Sequence, residues 1–283
     1  MKSSNWSRDE LLAVFALYCR LPFGKLHRGT PDVIDLARKL GRTPSAVAMK
    51  LVNFASFDPE LQRRGIKGLK NAGRGDRALW AEFEADPERI AFESQRVFES
   101  LHADDRQVQQ HAESDHFEID TTESRVTDTE RTVRVRLVQG FFRSAVLTSY
   151  GEKCTICRLH FPELLTASHI VPWSVDVRRR ADPRNGLALC AIHDRAFDRG
   201  LIGLDESYRL IISDRLAESF REPGIHEAVF HAFAGKPIHL PDRFLPDLEA
   251  IEYHRDHVFL TRSQMASQDM RRDDAENDSY RAF

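Results

Sequence analysis

The chain has 283 residues, of which 41% are hydrophobic and 30% are charged, and its formal net charge is −3. This length suffices for two domains, and the composition is typical of a globular protein in water. No apolar run approaches the roughly 20 residues of a membrane-spanning helix, and the N-terminus lacks the apolar core of a signal peptide. Four cysteines are too few for a secreted disulfide scaffold, so we expect a cytoplasmic protein with reduced thiols.

Charge is distributed unevenly along the chain. Residues 1–80 hold 15 Lys and Arg against 7 Asp and Glu, a net charge of +8. Residues 99–131 hold 10 Asp and Glu against 3 Arg, a net charge of −7. We therefore predict a phosphate-facing N-terminal domain, an acidic flexible linker, a second domain and a disordered tail. The predicted boundaries are 1–101, 102–131, 132–261 and 262–283.

Three helix starts are visible near the N-terminus. Ser7 and Glu10 have the spacing of a capping box, and Thr30-Pro31 and Thr43-Pro44 each place a capping side chain before a proline. Gly41 separates the second helix from the third, as in a helix-turn-helix. The predicted fold class is α+β, with a mostly helical, helix-turn-helix or winged-helix-like domain first.

A helix-turn-helix presents its second helix to a DNA groove. Here that helix would expose Ser45, Ala48, Met49 and Lys50, with Arg42 at the turn on a phosphate. Basic residues then alternate with glycines, as in the wing of a winged-helix domain. This stretch contains Arg63, Arg64, Lys67, Lys70, Arg74 and Arg77. We expect the first four of these side chains to contact DNA. The alternative is a small helical bundle with a solvated, charged loop.

Apolar patterns predict the remaining elements. Residues 84–101 indicate a helix, and residues 133–150 indicate a strand followed by a helix. Further along, two short strands and one helix are predicted at Leu164–His169, Gly186–Leu189 and Ile192–Arg199.

Two knuckle-like pairs occur in one short segment. Cys154-x2-Cys157 and Cys190-x2-His193 are separated by 32 residues, and thiolates and imidazole are the ligands of a tetrahedral structural zinc. Ordinary buried thiols are the alternative, because free cysteine is often buried. Two pairs so close together favour zinc.

Three motifs follow one another in this region: Ala167–Trp173 (ASHIVPW), Asn185–Cys190 (NGLALC) and His193–Asp198 (HDRAFD). Together they resemble the HNH endonuclease family, of ββα-metal fold, over roughly residues 132–260. The resemblance implies that His169 is the general base and that Asn185 orients its imidazole. It also implies that a residue on the following helix binds one divalent cation.

The residue types fit this chemistry. A neutral imidazole with a pKa near ~6.5 accepts a proton near neutral pH, and its second nitrogen needs a partner that fixes the tautomer. Asp194 and Asp198 lie four residues apart on a predicted helix, and their hard oxygens suit Mg²⁺ or Mn²⁺. The alternatives are a core histidine at His169 and a helix-end carboxylate at Asp198.

One residue departs from the family pattern, and the role of another is undecided. Many HNH sites carry Asp or His directly before the general base, where this chain has Ser168. His193 has two candidate roles: the fourth zinc ligand, with Asp194 and Asp198 on the catalytic ion, or a ligand of the catalytic ion itself if no zinc is bound.

The predicted function is cleavage of double-stranded DNA by a metal-dependent endonuclease with an N-terminal DNA reader. The N-terminal block resembles domains that precede HNH modules in bacterial restriction-type nucleases, which implies a role in defence; recognition of a modified base is expected by analogy alone. One HNH site cuts one strand, so a double-strand break predicts a homodimer. The alternatives are a zinc-containing DNA-binding regulator without catalysis and a signal-activated effector nuclease.

Overall fold

The computed structural model describes residues 5–65, 73–103, 126–218 and 224–260. In these ranges the chain is α+β, mostly helical, with two small two-stranded sheets. No helix among the described residues is long and apolar enough to cross a bilayer. The predicted tail, and most of the predicted linker, lie outside the described residues.

Six α-helices lie in the described ranges 5–65 and 73–103. They are α1 (Arg8–Arg20), α2 (Pro31–Leu40), α3 (Pro44–Ala55), α4 (Pro59–Arg63), α5 (Arg74–Ala85) and α6 (Pro87–Ser100). The predicted capping box is confirmed, because Glu10 N donates to the Ser7 hydroxyl and Ser7 N donates to the Glu10 carboxylate. The Thr43 hydroxyl accepts from Ala46 N at the start of α3, whereas Thr30 makes no such cap and its hydroxyl donates to Lys25 O. Gly41 ends α2 with a φ of 61°, which favours glycine.

The first hydrophobic core surrounds α1. Every residue from Leu11 to Cys19 is buried, so this helix is enclosed on all sides. Phe15 is at its centre, with ring centroids 5.3 Å from Phe54, 5.0 Å from Phe83 and 6.1 Å from Phe141. The last of these residues comes from a helix that lies far beyond the N-terminal block in sequence.

That helix, α7 (Val126–Ser149), belongs to both cores of the protein. Val138, Phe141 and Ala145 pack into the first core, and Phe142 and Val146 pack into the second. The prediction of a strand ahead of a helix is therefore wrong: apolar residues recur at helical spacing on two sides of one continuous helix. The last residues of the predicted linker, from Val126 onward, are also helical.

The second core holds the two predicted strands and the predicted helix. β1 (Leu165–His169) pairs antiparallel with β2 (Gly186–Cys190), and His169 lies opposite Gly186. Helix α8 (Ala191–Asp198) follows β2 directly, so these predicted elements are confirmed to within two residues at their ends. The remaining elements are β3 (Ile202–Leu204), β4 (Leu210–Ile212), α9 (Asp214–Glu218), α10 (Ile225–Val229) and α11 (Leu248–His257).

Gly186 allows α7 to press against the β1–β2 hairpin. A Cβ at this position would lie 2.4 Å from Val146 and 2.9 Å from Phe142, both on α7. The helix therefore approaches the hairpin directly opposite His169, at the end of β1.

Residues 242–244 join the late part of the chain to the first core. The buried Arg243 guanidinium donates to Leu21 O at 2.6 Å, and Phe244 N donates to the Asp58 carboxylate at 3.1 Å. The Phe244 ring packs in the first core. The division into domains at 101 and 132 stays a prediction, and the packing adds that α7 and Phe244 contribute to the core around α1.

The predicted wing is only partly described. Arg74 and Arg77 belong to α5, Lys67 and Lys70 lie outside the described residues, and residues 5–65 and 73–103 contain no strand. The described N-terminal part is therefore helical, as in the alternative of a helical bundle.

Two of the predicted DNA contacts form ion pairs between helices. Arg42 donates to the Glu10 carboxylate at 2.8 Å, and Lys50 pairs at 2.8 Å with the fully buried Asp76. Both cations hold helices together because a buried carboxylate needs a charged partner. Ala48 is buried as well.

The other predicted DNA contacts lie at the surface. Ser45 and Met49 are exposed on α3. Arg63 and Arg64 are exposed too, the first beside Glu60 and the second donating to Asp242 O.

Phe244→Ala should destabilise the protein, because the deleted ring packs beside Trp80 and Tyr18 in the first core. Removing a buried phenyl ring costs about 3–5 kcal/mol of unfolding free energy. Urea denaturation followed by circular dichroism measures this loss. Phe161→Ala, which removes a ring that is 59% exposed, is the control and should stay near wild type. Equal stability of the two variants would contradict the shared core.

Candidate active site and metal centre

Four side chains converge behind the β1–β2 hairpin. The ligand atoms of Cys154, Cys157, Cys190 and His193 all lie within 4.8 Å of one another. Cys190 ends β2 and His193 lies in the first turn of α8, so the strand-to-helix junction supplies two of them. Among the described residues, these four His and Cys side chains form the one group that is close enough together to hold a metal ion.

The distances in this Cys3His cluster fit a tetrahedral zinc. Bonds of about 2.3 Å to sulfur and about 2.0–2.1 Å to nitrogen imply edges of about 3.8 Å between sulfurs and about 3.6 Å between nitrogen and sulfur. The Sγ atoms of Cys157 and Cys190 are 3.9 Å apart, and His193 Nδ1 lies 3.5 Å from Cys154 Sγ and 3.1 Å from Cys190 Sγ. The donor set and its spacing therefore suit zinc without large movement.

A second contact fixes the His193 tautomer. His193 Nε2 lies 2.8 Å from Val229 O, at the end of α10. A carbonyl oxygen only accepts, so Nε2 carries the proton and Nδ1 is directed at the thiols. Such an outer partner is typical of a metal-binding histidine.

Electrostatics in the cluster favour a cation. Hydrogen bonds from Cys154 and Cys157 hold the pKa of Cys190 far below its ordinary value, while Cys154 raises the pKa of Cys157. Burial alone would lower the pKa of His193, but hydrogen bonds to Cys154 and Cys190 raise it to about 10. The thiolates that attract this proton would attract a metal ion equally.

His169 lies at the end of β1 in a confined position. Its ring stacks on Phe142 at 3.8 Å, and the Trp173 ring meets it edge-on at 5.5 Å. Its Nε2 lies 3.0 Å from Arg180 O. Burial lowers the pKa of His169, and the hydrogen bond to Arg180 O opposes this shift. Burial therefore favours the neutral form of this imidazole.

Asn185 binds the backbone of the loop between β1 and β2. Its Oδ1 accepts from Val171 N at 2.8 Å, and its Nδ2 donates to Val171 O at 3.0 Å and Arg179 O at 3.2 Å. These contacts use both amide hydrogens. Among the described residues Asn185 thus makes no hydrogen bond to His169, and its contacts hold the loop that carries Arg180.

Ser168 is turned away from His169. Successive side chains in a strand point to opposite faces, and Ser168 is 3% exposed. Its hydroxyl has no hydrogen-bond partner in the described ranges.

Asp194 and Asp198 share one face of α8, as predicted from their spacing. Desolvation is the first cause that raises the pKa of Asp198, and the charge of Asp194 is the second. Two carboxylates that repel each other in this way are stabilised by a bound cation. Their assignment to the catalytic metal stays a prediction, as do the catalytic roles of His169 and Asn185.

Three residues at this site were missed in the sequence. Phe142 stacks on His169, Arg180 accepts from it, and Val229 O binds His193. Arg180 and Val229 act through their backbone carbonyls, which all residues have, so the residue types give no sign of these contacts. Phe142 was predicted only as an apolar residue of a helix.

Residues 154–205 match the family model described as HNH endonuclease. This segment contains the Cys3His cluster, both strands and α8, so the chain carries an HNH endonuclease domain, as its motifs predicted. No curated protein matches the chain. A solved structure titled "Modification dependent TagI restriction endonuclease" aligns at 19% identity over 41% of this chain and 37% of that chain, with a TM-score of 0.30. The aligned part thus spans little more than a third of that protein's length.

Protein purified without added metal should contain about one zinc per chain, because the Cys3His spacing matches tetrahedral ligation. Cys157→Ser should lower this content and the stability of the second core. Cys19→Ala is the control, since Cys19 is buried in the first core and should leave the zinc in place. Elemental analysis of reduced protein gives the result, and a folded, zinc-free wild type would refute the assignment.

Proposed function

We propose that the protein is a metal-dependent endonuclease that hydrolyses DNA phosphodiester bonds, with His169 as the general base. One observation carries the proposal: His169 Nε2 is held by Arg180 O, which leaves the lone pair of Nδ1 to accept a proton. A half-buried imidazole with a lowered pKa and a fixed tautomer is suited to activate water.

The proposed reaction begins with a water molecule beside His169. Nδ1 takes one proton from it, and the resulting hydroxide oxygen forms a bond to phosphorus. The bond between phosphorus and the leaving oxygen breaks, and that oxygen leaves with the electron pair and takes a proton from solvent. Stacking on Phe142 keeps the imidazole plane fixed during this transfer.

A divalent cation completes the proposed site. Asp194 and Asp198 are the residues that would hold it, because their oxygens suit Mg²⁺ or Mn²⁺ and their mutual repulsion favours a cation. When bound, such an ion neutralises charge on the phosphate and the leaving oxygen. Zinc at the Cys3His cluster is proposed to be structural, and His193 is assigned to it rather than to the catalytic ion.

We also propose that the helical N-terminal part contacts DNA. Ser45 and Met49 are exposed on α3, and Arg63 is exposed on α4, which supports a DNA-facing surface here. A winged helix, a restriction or defence role, the reading of a modified base and a homodimer that cuts both strands are finer proposals. They rest on the resemblance described in the sequence.

Replacing His169 with Ala should lower the cleavage rate by about 10²–10⁴-fold, the usual contribution of a positioned base. The Cys3His cluster is not touched, so zinc content and DNA affinity should stay at the wild-type level. His257→Ala, on the exposed end of α11, is the control and should cleave normally. Nicking of supercoiled plasmid measures all three proteins, and near-normal cleavage by the His169 variant would exclude this base.

Replacing Asp198 with Asn should raise the Mg²⁺ concentration needed for half-maximal cleavage by about tenfold or more. Even residues that only hydrogen-bond to a metal ligand contribute about 10–100-fold to metal affinity, so a direct ligand should contribute at least as much. A titration of cleavage rate with Mg²⁺ measures this. Glu163→Gln removes one exposed charge close to β1 and serves as the control. If both variants have the same Mg²⁺ dependence as wild type, Asp198 is not a ligand.

A further inference from the structure

We propose that the ion pair between Arg179 and Asp247 is a positioning device that keeps the Arg180 carbonyl on His169 Nε2 and so selects the tautomer of the base. This inference rests on the proposed role of His169. It assigns a task to two residues that lie outside the HNH motifs.

The loop between β1 and β2 carries the carbonyl that binds His169. Asn185 holds this loop near both ends, through Val171 and through Arg179 O. The next residue, Arg180, directs its carbonyl at His169 Nε2 at 3.0 Å. The backbone that fixes the base is therefore adjacent to the backbone that Asn185 fixes.

The Arg180 side chain closes the same loop from within. Its Nε donates to Trp173 O at 2.8 Å, and its guanidinium lies 5.1 Å from the centre of the Trp173 ring. That ring contacts His169 edge-on. The loop thus forms a small closed unit around the imidazole, and Ala181 and Trp173 pack it against the first core.

Arg179 supplies a polar attachment of the loop to α11. Its guanidinium donates to the Asp247 carboxylate and, at 3.1 Å, to Glu249, while Asp247 N donates to Arg184 O at 2.9 Å. Asp247 is the N-cap of α11, so its carboxylate is fixed by Glu249 N as well. Asp247, at the start of α11, therefore binds the loop in two ways. Its carboxylate accepts from the Arg179 side chain, and its backbone N–H donates to Arg184 O.

Helix α11 connects this attachment to α8. His254 on α11 stacks on Phe197 of α8 at 3.7 Å, and its Nε2 lies 3.0 Å from Phe197 O. Phe197 directly precedes Asp198. A single path of contacts therefore runs from the general base through Arg179 and Asp247 to the helix that carries the proposed cation ligands.

The ion pair is suited to positioning rather than to stability. Arg179 and Asp247 are 24% and 34% exposed at their side chains, and ion pairs of this kind contribute little to folding. Their geometry nevertheless sets where Arg180 O lies. Breaking the pair should leave the protein folded and release the loop.

Nitrogen-15 NMR of the histidine-labelled, zinc-loaded protein tests this without DNA or Mg²⁺. The His169 signals are those that His169→Gln removes. In wild type they should show one tautomer, protonated at Nε2, whereas Arg179→Met and Asp247→Asn should both show exchange between tautomers. Asp247→Asn keeps a side-chain oxygen for the helix cap. Arg178→Met is the matched control. The Arg178 side chain is 85% exposed, and this substitution removes the same charge one residue away from Arg179.

Cleavage kinetics provide the second readout. In Arg179→Met and Asp247→Asn, kcat should fall about tenfold, while KM should stay within about twofold of wild type. Tenfold is the lower end of the roughly 10–100-fold loss that follows removal of a residue that orients a site residue without touching the reacting atoms. Melting temperature and zinc content should match the control. Unchanged His169 signals in both variants would overturn the positioning role. Altered signals in a protein whose wild type cuts no DNA would support the positioning role and refute the proposed function.

Discussion

The packing of one helix on two cores is the constraint on which the rest of the structure depends. Val126–Ser149 directs Phe141 into the first core and Phe142 into the second, where Phe142 stacks on His169. Gly186 permits this approach, because any Cβ there would collide with the helix. His169, the proposed general base, therefore contacts the same helix that completes the N-terminal core. Phe244, from the late part of the chain, packs in that core as well.

The site separates structural from chemical tasks over a short distance. Cys190 and His193 belong to the Cys3His cluster, and the next residue, Asp194, begins the carboxylate pair on the same helix. A zinc ion in the cluster would fix the junction of β2 and α8, and so the direction of that helix. On the opposite side of the hairpin, the loop held by Asn185 fixes the imidazole. Separate sets of contacts thus hold His169 and the helix that carries Asp194 and Asp198.

The sequence predicted the elements whose signal is local. The β1–β2–α8 unit, the Cys3His group and the capping box at Ser7 all follow from short spacings that a single segment carries. It did not reveal partners that are distant in the sequence. Arg42 and Lys50 have the composition of DNA contacts, but Glu10 and Asp76 reach them from other helices. Asn185 was assigned to the imidazole, yet its amide binds Val171 and Arg179, because the loop folds back onto the end of β1. Residue type alone does not reveal which backbone groups a side chain will meet.

The central claim is that this zinc-containing domain cuts DNA through a fixed imidazole and a separate divalent cation. The most direct measurement incubates zinc-loaded wild-type protein with supercoiled plasmid, in Mg²⁺ or Mn²⁺, and repeats the time course with a chelator concentration that removes the added cation but leaves the zinc bound. The account predicts open-circular product with either cation and none with the chelator. Absence of nicking with both cations, or equal nicking after the added cation is removed, would contradict it.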